Sequence, residues 1–449
     1  MDKSKARIES GWRSIEDNIA PRADPATRDR ALTLLDARPY PACPDQPERK
    51  GNTVQTSLKL TSRLAQLGTE NAFEVVNKVR ALEAQKKSII HLHIGAPDFK
   101  TPANIVEAGR KALADGFHGY TPAKGLMPVR ETVAAYCERF HKAGKVDPDN
   151  VIICPGGKPT MFYAITLFSD PGAEIIYPNP GFPIYESVIR FSGATPVPLH
   201  LKEENGFAFS ADELLGKITP KTRLIILNSP ANPTGGVVPK RELDKLVAGL
   251  EKQPHVAIMS DEIYSRLLYD GEQHTSLLSY ESIRDRTILL DGWSKTYAMT
   301  GWRMGFGVWP KSIVADAERL QINTVSCTNA AAQMAGKEAL EGPQDSVDGM
   351  RAAFDERRGL IVRELNSIPG FKCILPKGAF YAFANVKGTG IPSRELETKL
   401  LYEAGVSCLS GTSFGAFGDG YLRFSYANSA ENIQEGMRRV RECLAVAKR

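Results

Sequence analysis

Seven cysteines in 449 residues, at 43, 137, 154, 327, 373, 408 and 443, are few, and no two stand in C-x-x-C spacing. A disulfide-dense scaffold and a zinc-ribbon pattern are therefore excluded; reduced, mostly buried thiols in a cytoplasmic protein are expected, with no metal. No apolar stretch approaches the ~20 residues that span a bilayer, so no membrane association is expected. No Lys/Arg block stands out, and a net charge of +5 is small for this length. Nucleic-acid binding has no support, although a modest positive potential favours anionic substrates. The first twenty residues carry Asp2, Glu9, Glu16 and Asp17 without a continuous apolar run, which fits neither a secretory signal nor a transit peptide. Internal repeats and low-complexity tracts are also missing.

The remainder has the composition of an ordinary globular protein, 42% hydrophobic and 24% charged, and is long enough for roughly two or three domains. Residues 1–55 read as an appended arm. Ile8, Trp12, Ile15 and Ile19 recur at helical spacing, and Pro39, Pro41, Pro44 and Pro47 mark a linker. Such an arm is expected to pack on its own or a partner subunit; Trp12 and the isoleucine stripe also allow it to fold over a substrate entrance.

From 96 to 335 short apolar runs alternate with amphipathic stretches. Val151–Ile153, Ile175–Tyr177, Leu224–Leu227, Val256–Met259 and Ile288–Leu290 are the expected strands. Unbroken apolar strands alternating with helices predict a mainly parallel sheet covered on both faces. Polar residues follow them repeatedly: Gly156-Gly157, Asn228, Asp261 and Lys295. That placement gathers them along one sheet edge, where open α/β folds collect ligands. Residues 336–449, with a long charged helix around 347–365, read as a smaller α+β domain to which 56–95 adds an N-terminal part.

Lys295 leaves the end of a buried strand; desolvated, its amine could attack an aldehyde. Arg303, eight residues on, offers a planar donor suited to phosphate. Together they point to an aldehyde bearing a phosphate, pyridoxal 5'-phosphate (PLP). The turn Gly156-Gly157-Lys158 before an apolar helix could approach an anion through its backbone N–H groups. Asp261 could balance a pyridinium nitrogen or cap a helix. Asn232, in a proline-fixed loop, and Tyr264 are candidate donors to a ring oxygen, and Phe182 could stack on a ring. Arg423, alternating with apolar neighbours as in a half-buried strand, either grips a carboxylate or points to solvent.

These pieces, with Gly95-Ala96-Pro97-Asp98-Phe99, Tyr120-Thr121-Pro122-Ala123-Lys124-Gly125, Asn232-Pro233-Thr234-Gly235 and Gly301-Trp302-Arg303-Met304-Gly305, resemble the class I/II aminotransferases. The similarity is closest to their bacterial and archaeal aspartate/aromatic branch and runs over about 56–445. It implies an α/β protein of PLP fold type I and makes Lys295 the Schiff-base lysine, Asp261 the ring-nitrogen partner, and Asn232 and Tyr264 the ring-oxygen contacts. It implies phosphate contacts from Gly157, Ser294 and Arg303, with Phe182 against the ring. Tyr120 is implied to reach the phosphate of a neighbouring subunit, hence a homodimer. Arg423 and Gly95 match the substrate α-carboxylate site. Lys158 matches a lysine that meets the side-chain carboxylate of dicarboxylic substrates, which implies aspartate or glutamate in one half of a ping-pong reaction with a 2-oxo acid. Aromatic, alanine-type and specialised substrates stay open, as do lyase, decarboxylase and oxidase chemistry on the same fold. A ligand-binding regulator of transcription fits less well, because residues 1–55 are short and their acidic residues nearly match their basic ones, unlike a DNA-binding module. Two departures stand out: the arm has no counterpart, and the phosphate serine that several relatives place three residues before the lysine is here Gly292.

Overall fold

The computed structural model describes residues 60–68 and 71–446; the expected arm at 1–55 lies outside them. Twelve strands are β1 (Ile90–His91), β2 (Val151–Cys154), β3 (Glu174–Asn179), β4 (Thr195–His200), β5 (Thr222–Asn228), β6 (Ala257–Asp261), β7 (Thr287–Gly292), β8 (Gly305–Val308), β9 (Tyr381–Asn385), β10 (Val406–Ser407), β11 (Leu409–Ser410) and β12 (Tyr421–Ser425). Seven of them form one sheet in the order β2-β8-β7-β6-β5-β3-β4. All neighbours pair in parallel except β8, which runs antiparallel to both β2 and β7.

Side-chain alternation explains why the central strands read as unbroken apolar runs. Ile225, Leu227 and Ile258 pack with Leu243, Leu246 and Leu250 of the helix Lys240–Leu250. Leu224, Ile226, Met259 and Leu290 pack on the other face with Met161 and Ile165 of the helix Lys158–Leu167. A strand with helices on both faces has no polar side to show.

Two strands escaped the apolar-run pattern. β4 is an edge strand holding Pro196 and Pro198, a position where missing N–H donors are tolerated. β8 begins and continues with glycine for steric reasons. A Cβ on Gly305 would lie 2.4 Å from the carbonyl carbon of Gly156, and one on Gly307 would lie 2.5 Å from the indole nitrogen of Trp309.

A three-stranded antiparallel sheet, β11-β12-β9, lies in the C-terminal part, while β1 pairs in parallel with β10. The long helix Asp345–Asn366 packs against the final helix Ala430–Val446 and against β9. One apolar core joins both parts: Leu289 and Trp293 share it with Phe380, Tyr381 and Phe424. The six cysteines among the described residues are free. No helix among the described residues is long and apolar enough to cross a membrane.

Candidate active site

The parallel strands β5, β6 and β7 end together, as their register shows: Asn228 pairs with Asp261, and Asp261 with Leu290. The antiparallel β8 starts at the same edge, with Gly305 opposite both Cys154 and Gly292. This edge opens into a cavity of about 620 Å³. Gly95, Gly157, Lys158, Phe182, Asn232 and Asp261 line it, as do Tyr264, Ser294, Lys295, Arg303 and Arg423. Tyr120 alone among the expected site residues lies elsewhere. Its side chain is 95% exposed, beside a separate groove containing Cys327 and Asn329.

One end of the cavity suits an anion. Gly156 takes φ +89°, and a Cβ there would sit 2.5 Å from Arg303 Nη2, so the turn and the guanidinium meet only because the residue is glycine. The turn delivers the chain into the helix Lys158–Leu167, whose first N–H groups have no partners within the helix. Arg303 donates to the carbonyls of Thr300 at 3.0 Å and Pro155 at 3.5 Å. Ser294 and Thr300 line the same cavity. Gly292 is closed to a side chain: its Cβ would stand 2.8 Å from Gly305 Cα across the β7–β8 pairing.

Lys295 Nζ donates to the carbonyl of Gly95 at 2.5 Å and lies about 6 Å from the ring centres of Tyr264 (6.0 Å) and Phe380 (5.9 Å). The carbonyl is within reach because Gly95 has no side chain; a Cβ would stand 2.4 Å from Tyr381 Oη. Tyr264 and Tyr381 share a hydrogen bond at 2.7 Å between their hydroxyls. Burial first, then the neighbouring Tyr381, pushes the Tyr264 phenol well above its ordinary range, so it stays a neutral donor.

Asp261 ends β6 and is buried, and it caps no helix. Oδ2 accepts from Tyr185 Oη at 2.5 Å and Oδ1 from the Ile263 N–H at 3.3 Å. Burial raises its pKa to about 6; those two hydrogen bonds oppose the rise, and the charges of Asp291 and Glu262 add to it. Asn228 braces the pair of site residues around it. Its Nδ2 donates to the Asp261 carbonyl at 3.0 Å, and its Oδ1 accepts from the Asn232 N–H at 2.9 Å.

Arg423 lies on β12, whose five residues are all buried rather than half-buried as the alternation predicted. β12 is the middle strand of its sheet and has packing on both faces, which removes the solvent-facing alternative. Its guanidinium donates to Asn232 Oδ1 at 3.0 Å and to the His93 carbonyl at 2.6 Å. It stacks 4.4 Å from the ring centre of Tyr381 and 4.9 Å from that of Phe414. Arg423 also lines the cavity, and its planar fork suits a carboxylate there.

Lys158 Nζ lies 5.6 Å from the Phe182 ring centre, and Phe182 meets Tyr185 edge-on at 5.7 Å. Reasoning from the sequence missed Tyr185, Tyr381 and the bracing role of Asn228. The available signals were weak: Tyr185 stands three residues beyond Phe182 at the start of a helix, and Tyr381 follows Phe380 in an apolar run.

The donor set fits PLP. A glycine turn, a helix start, a serine, two arginines, a lysine amine and a buried carboxylate line one cavity, with the turn and Arg303 in direct contact. The profile of the family described as aminotransferase class I and II matches residues 87–440. The aspartate aminotransferase of Pyrococcus horikoshii is 38% identical over 373 residues, covering 82% of this chain and 94% of that protein. The aromatic-amino-acid aminotransferase 2 of Thermococcus litoralis is 36% identical, covering 86% of this chain and 98% of its own length. Among solved structures, the Thermus thermophilus aspartate aminotransferase with maleate superposes with a TM-score of 0.81 at 32% identity, covering 86% of this chain and all of that one. The fold is that of the type I aminotransferases, and the chain belongs to the class I and II aminotransferases, a family of generally PLP-dependent transaminases.

Proposed function

We propose that the protein moves an amino group between aspartate or glutamate and a 2-oxo acid, with PLP bound at Lys295. The observation that carries this reading is the single cavity that Lys295, Asp261, Arg303 and Arg423 all line. Bound PLP supplies an aldehyde that condenses with amines and a ring that withdraws electrons from the substrate α-carbon.

The chain's own residues do the rest. Gly157, Ser294 and Arg303, with the start of the helix Lys158–Leu167, hold the phosphate. Asp261 as a carboxylate keeps the ring nitrogen protonated, while Asn232 and Tyr264 donate to the ring oxygen. Phe182 packs on the ring face. Lys295 Nζ acts as general base on the substrate α-carbon. Arg423 grips the α-carboxylate, with Gly95 beside it. The two half-reactions share one site, so ping-pong kinetics follow.

Lys158 supports the choice of dicarboxylic substrates, since its ammonium lines the same cavity as Arg423 and could meet a second carboxylate. Maleate, a dicarboxylate, accompanies the Thermus structure, and the Pyrococcus relative acts on aspartate by name. The exposed Tyr120 supports a homodimer in which it completes the partner's phosphate site. The proposed division is 1–55 arm, 56–95 and 336–449 small domain, and 96–335 large domain; the small sheet and the β1–β10 pairing favour it. A cytoplasmic location agrees with free cysteines.

A panel of amino donors and 2-oxo acids tests the proposal. Aspartate or glutamate should give the highest kcat/KM, and Lys158→Ala should lower that value while sparing aromatic donors. Ammonia release without an acceptor would indicate a lyase or oxidase. Aromatic preference unaffected by Lys158→Ala would overturn the dicarboxylate reading.

A further inference from the structure

Three carboxylates crowd the ends of β6 and β7: Asp261, Glu262 and Asp291, each 7% exposed or less. Only Asp261 lines the cavity. His141, 1% exposed and just past the helix Met127–Arg139, stands between the other two. Its Nε2 is hydrogen-bonded to Asp291 Oδ2 at 3.0 Å. Its Nδ1 lies 3.0 Å from Glu262 Oε2, an ion-pair contact whose angle departs from that of a hydrogen bond. A neutral imidazole has one N–H and cannot present a proton to carboxylates at both ring nitrogens; an imidazolium can.

Glu262 is surrounded by donors, which fixes it as an anion. Oε1 accepts from Ser260 Oγ at 2.7 Å, Ser276 Oγ at 3.0 Å and the Leu277 N–H at 3.2 Å, and Oε2 meets His274 Nε2 at 2.6 Å. Asp291 accepts from its neighbour's N–H, Gly292, at 2.7 Å and from Ser265 Oγ at 3.3 Å. One ligand atom from each of His141, Glu262 and His274 falls within 4.8 Å of the others, but separations of 2.6–3.0 Å to Glu262 are those of direct contacts with no gap for a cation. The other titratable groups around the ring are Tyr136 and His274, each edge-on at 5.4 Å, and Cys137 on the helix. Arg266 lies over Phe140, whose ring packs edge-on against His141.

We propose that His141 is a positioning residue: a standing imidazolium that cancels Glu262 and Asp291 and thereby keeps their neighbour Asp261 ionised. It also ties the end of β6 to the β7 segment leading to Ser294 and Lys295. The inference rests on the reading of Asp261 as the ring-nitrogen partner. Burial alone would depress the His141 imidazole, yet the contacts to Asp291 and Glu262 outweigh it and lift the pKa to about 9. The charges of Asp291 and Glu262 also push Asp261 upward; without the cation between them that push grows, and only the His274 contact to Glu262 remains to offset it.

Two measurements test this. Nitrogen-15 NMR of histidine-labelled wild type at pH 7.5 should show both His141 ring nitrogens protonated. In His141→Gln, titrated with PLP across pH 5–9, the acid limb of PLP affinity should move up by about one pH unit, an affinity loss of roughly tenfold on the limb. A purely structural role would lower the melting temperature and leave the limb in place. A neutral wild-type His141, or an unmoved limb in a folded variant, overturns the proposal; should the variant not fold, the NMR result decides. Failure of the wild type to bind PLP would instead overturn the cofactor reading, which the NMR measurement does not involve.

Discussion

Tyr185 donates its phenolic proton to Asp261 Oδ2 at 2.5 Å, so this cavity-lining carboxylate is held by a side chain from the helix Ile184–Ser192. A hydrogen bond to a charged group is worth roughly 1.5–3 kcal/mol. Tyr185→Phe should therefore weaken PLP affinity about tenfold or more near neutral pH, with little change below pH 5, where Asp261 is protonated. Equilibrium dialysis across pH checks this.

Asp261 also makes the unliganded fold sensitive to pH. Its folded pKa of about 6 exceeds the ordinary 3.8, so its contribution is fully present below the lower value and lost as pH rises through the upper one. Two units correspond to about 3 kcal/mol. Asp261→Asn should raise the melting temperature of the cofactor-free protein more at pH 8 than at pH 5, while abolishing turnover. Calorimetry at both values checks the sign.

Arg423 should tolerate no substitute. Lysine keeps the charge but not the planar fork that reaches Asn232 and His93 together. Losing part of a buried charged contact costs about 2–5 kcal/mol. Arg423→Lys should lower kcat/KM by about a hundredfold for amino and oxo acids alike, with PLP affinity within about threefold of wild type, as steady-state kinetics and titration would show.

Glycines divide by position. Gly305→Ala would drive a Cβ into the Gly156 backbone at 2.4 Å and should weaken both stability and PLP affinity. Gly349→Ala, in the exposed face of the helix Asp345–Asn366 with nothing within 4 Å, should stabilise by about 0.5–1 kcal/mol and leave affinity alone. Thermal melts of the two variants separate these effects.

Lys295, Asp261, Asn228 and the Gly156 turn were legible because each follows an apolar run, and a parallel sheet collects such positions at one edge. Runs broken by proline or glycine hid β4 and β8. Tyr185 and His141 were illegible for another reason: each comes from a separate segment packed against the sheet, and spacing along the chain does not record that meeting. Arg423 was placed correctly on a strand, but its full burial depended on β9 and β11 flanking it, a tertiary fact.

Borohydride reduction of the PLP-loaded protein, followed by peptide mass mapping, tests the central claim most directly. A single adduct of cofactor mass on the peptide containing Lys295, absent from Lys295→Ala, is the predicted result. An adduct on another lysine, or none at all, would contradict it.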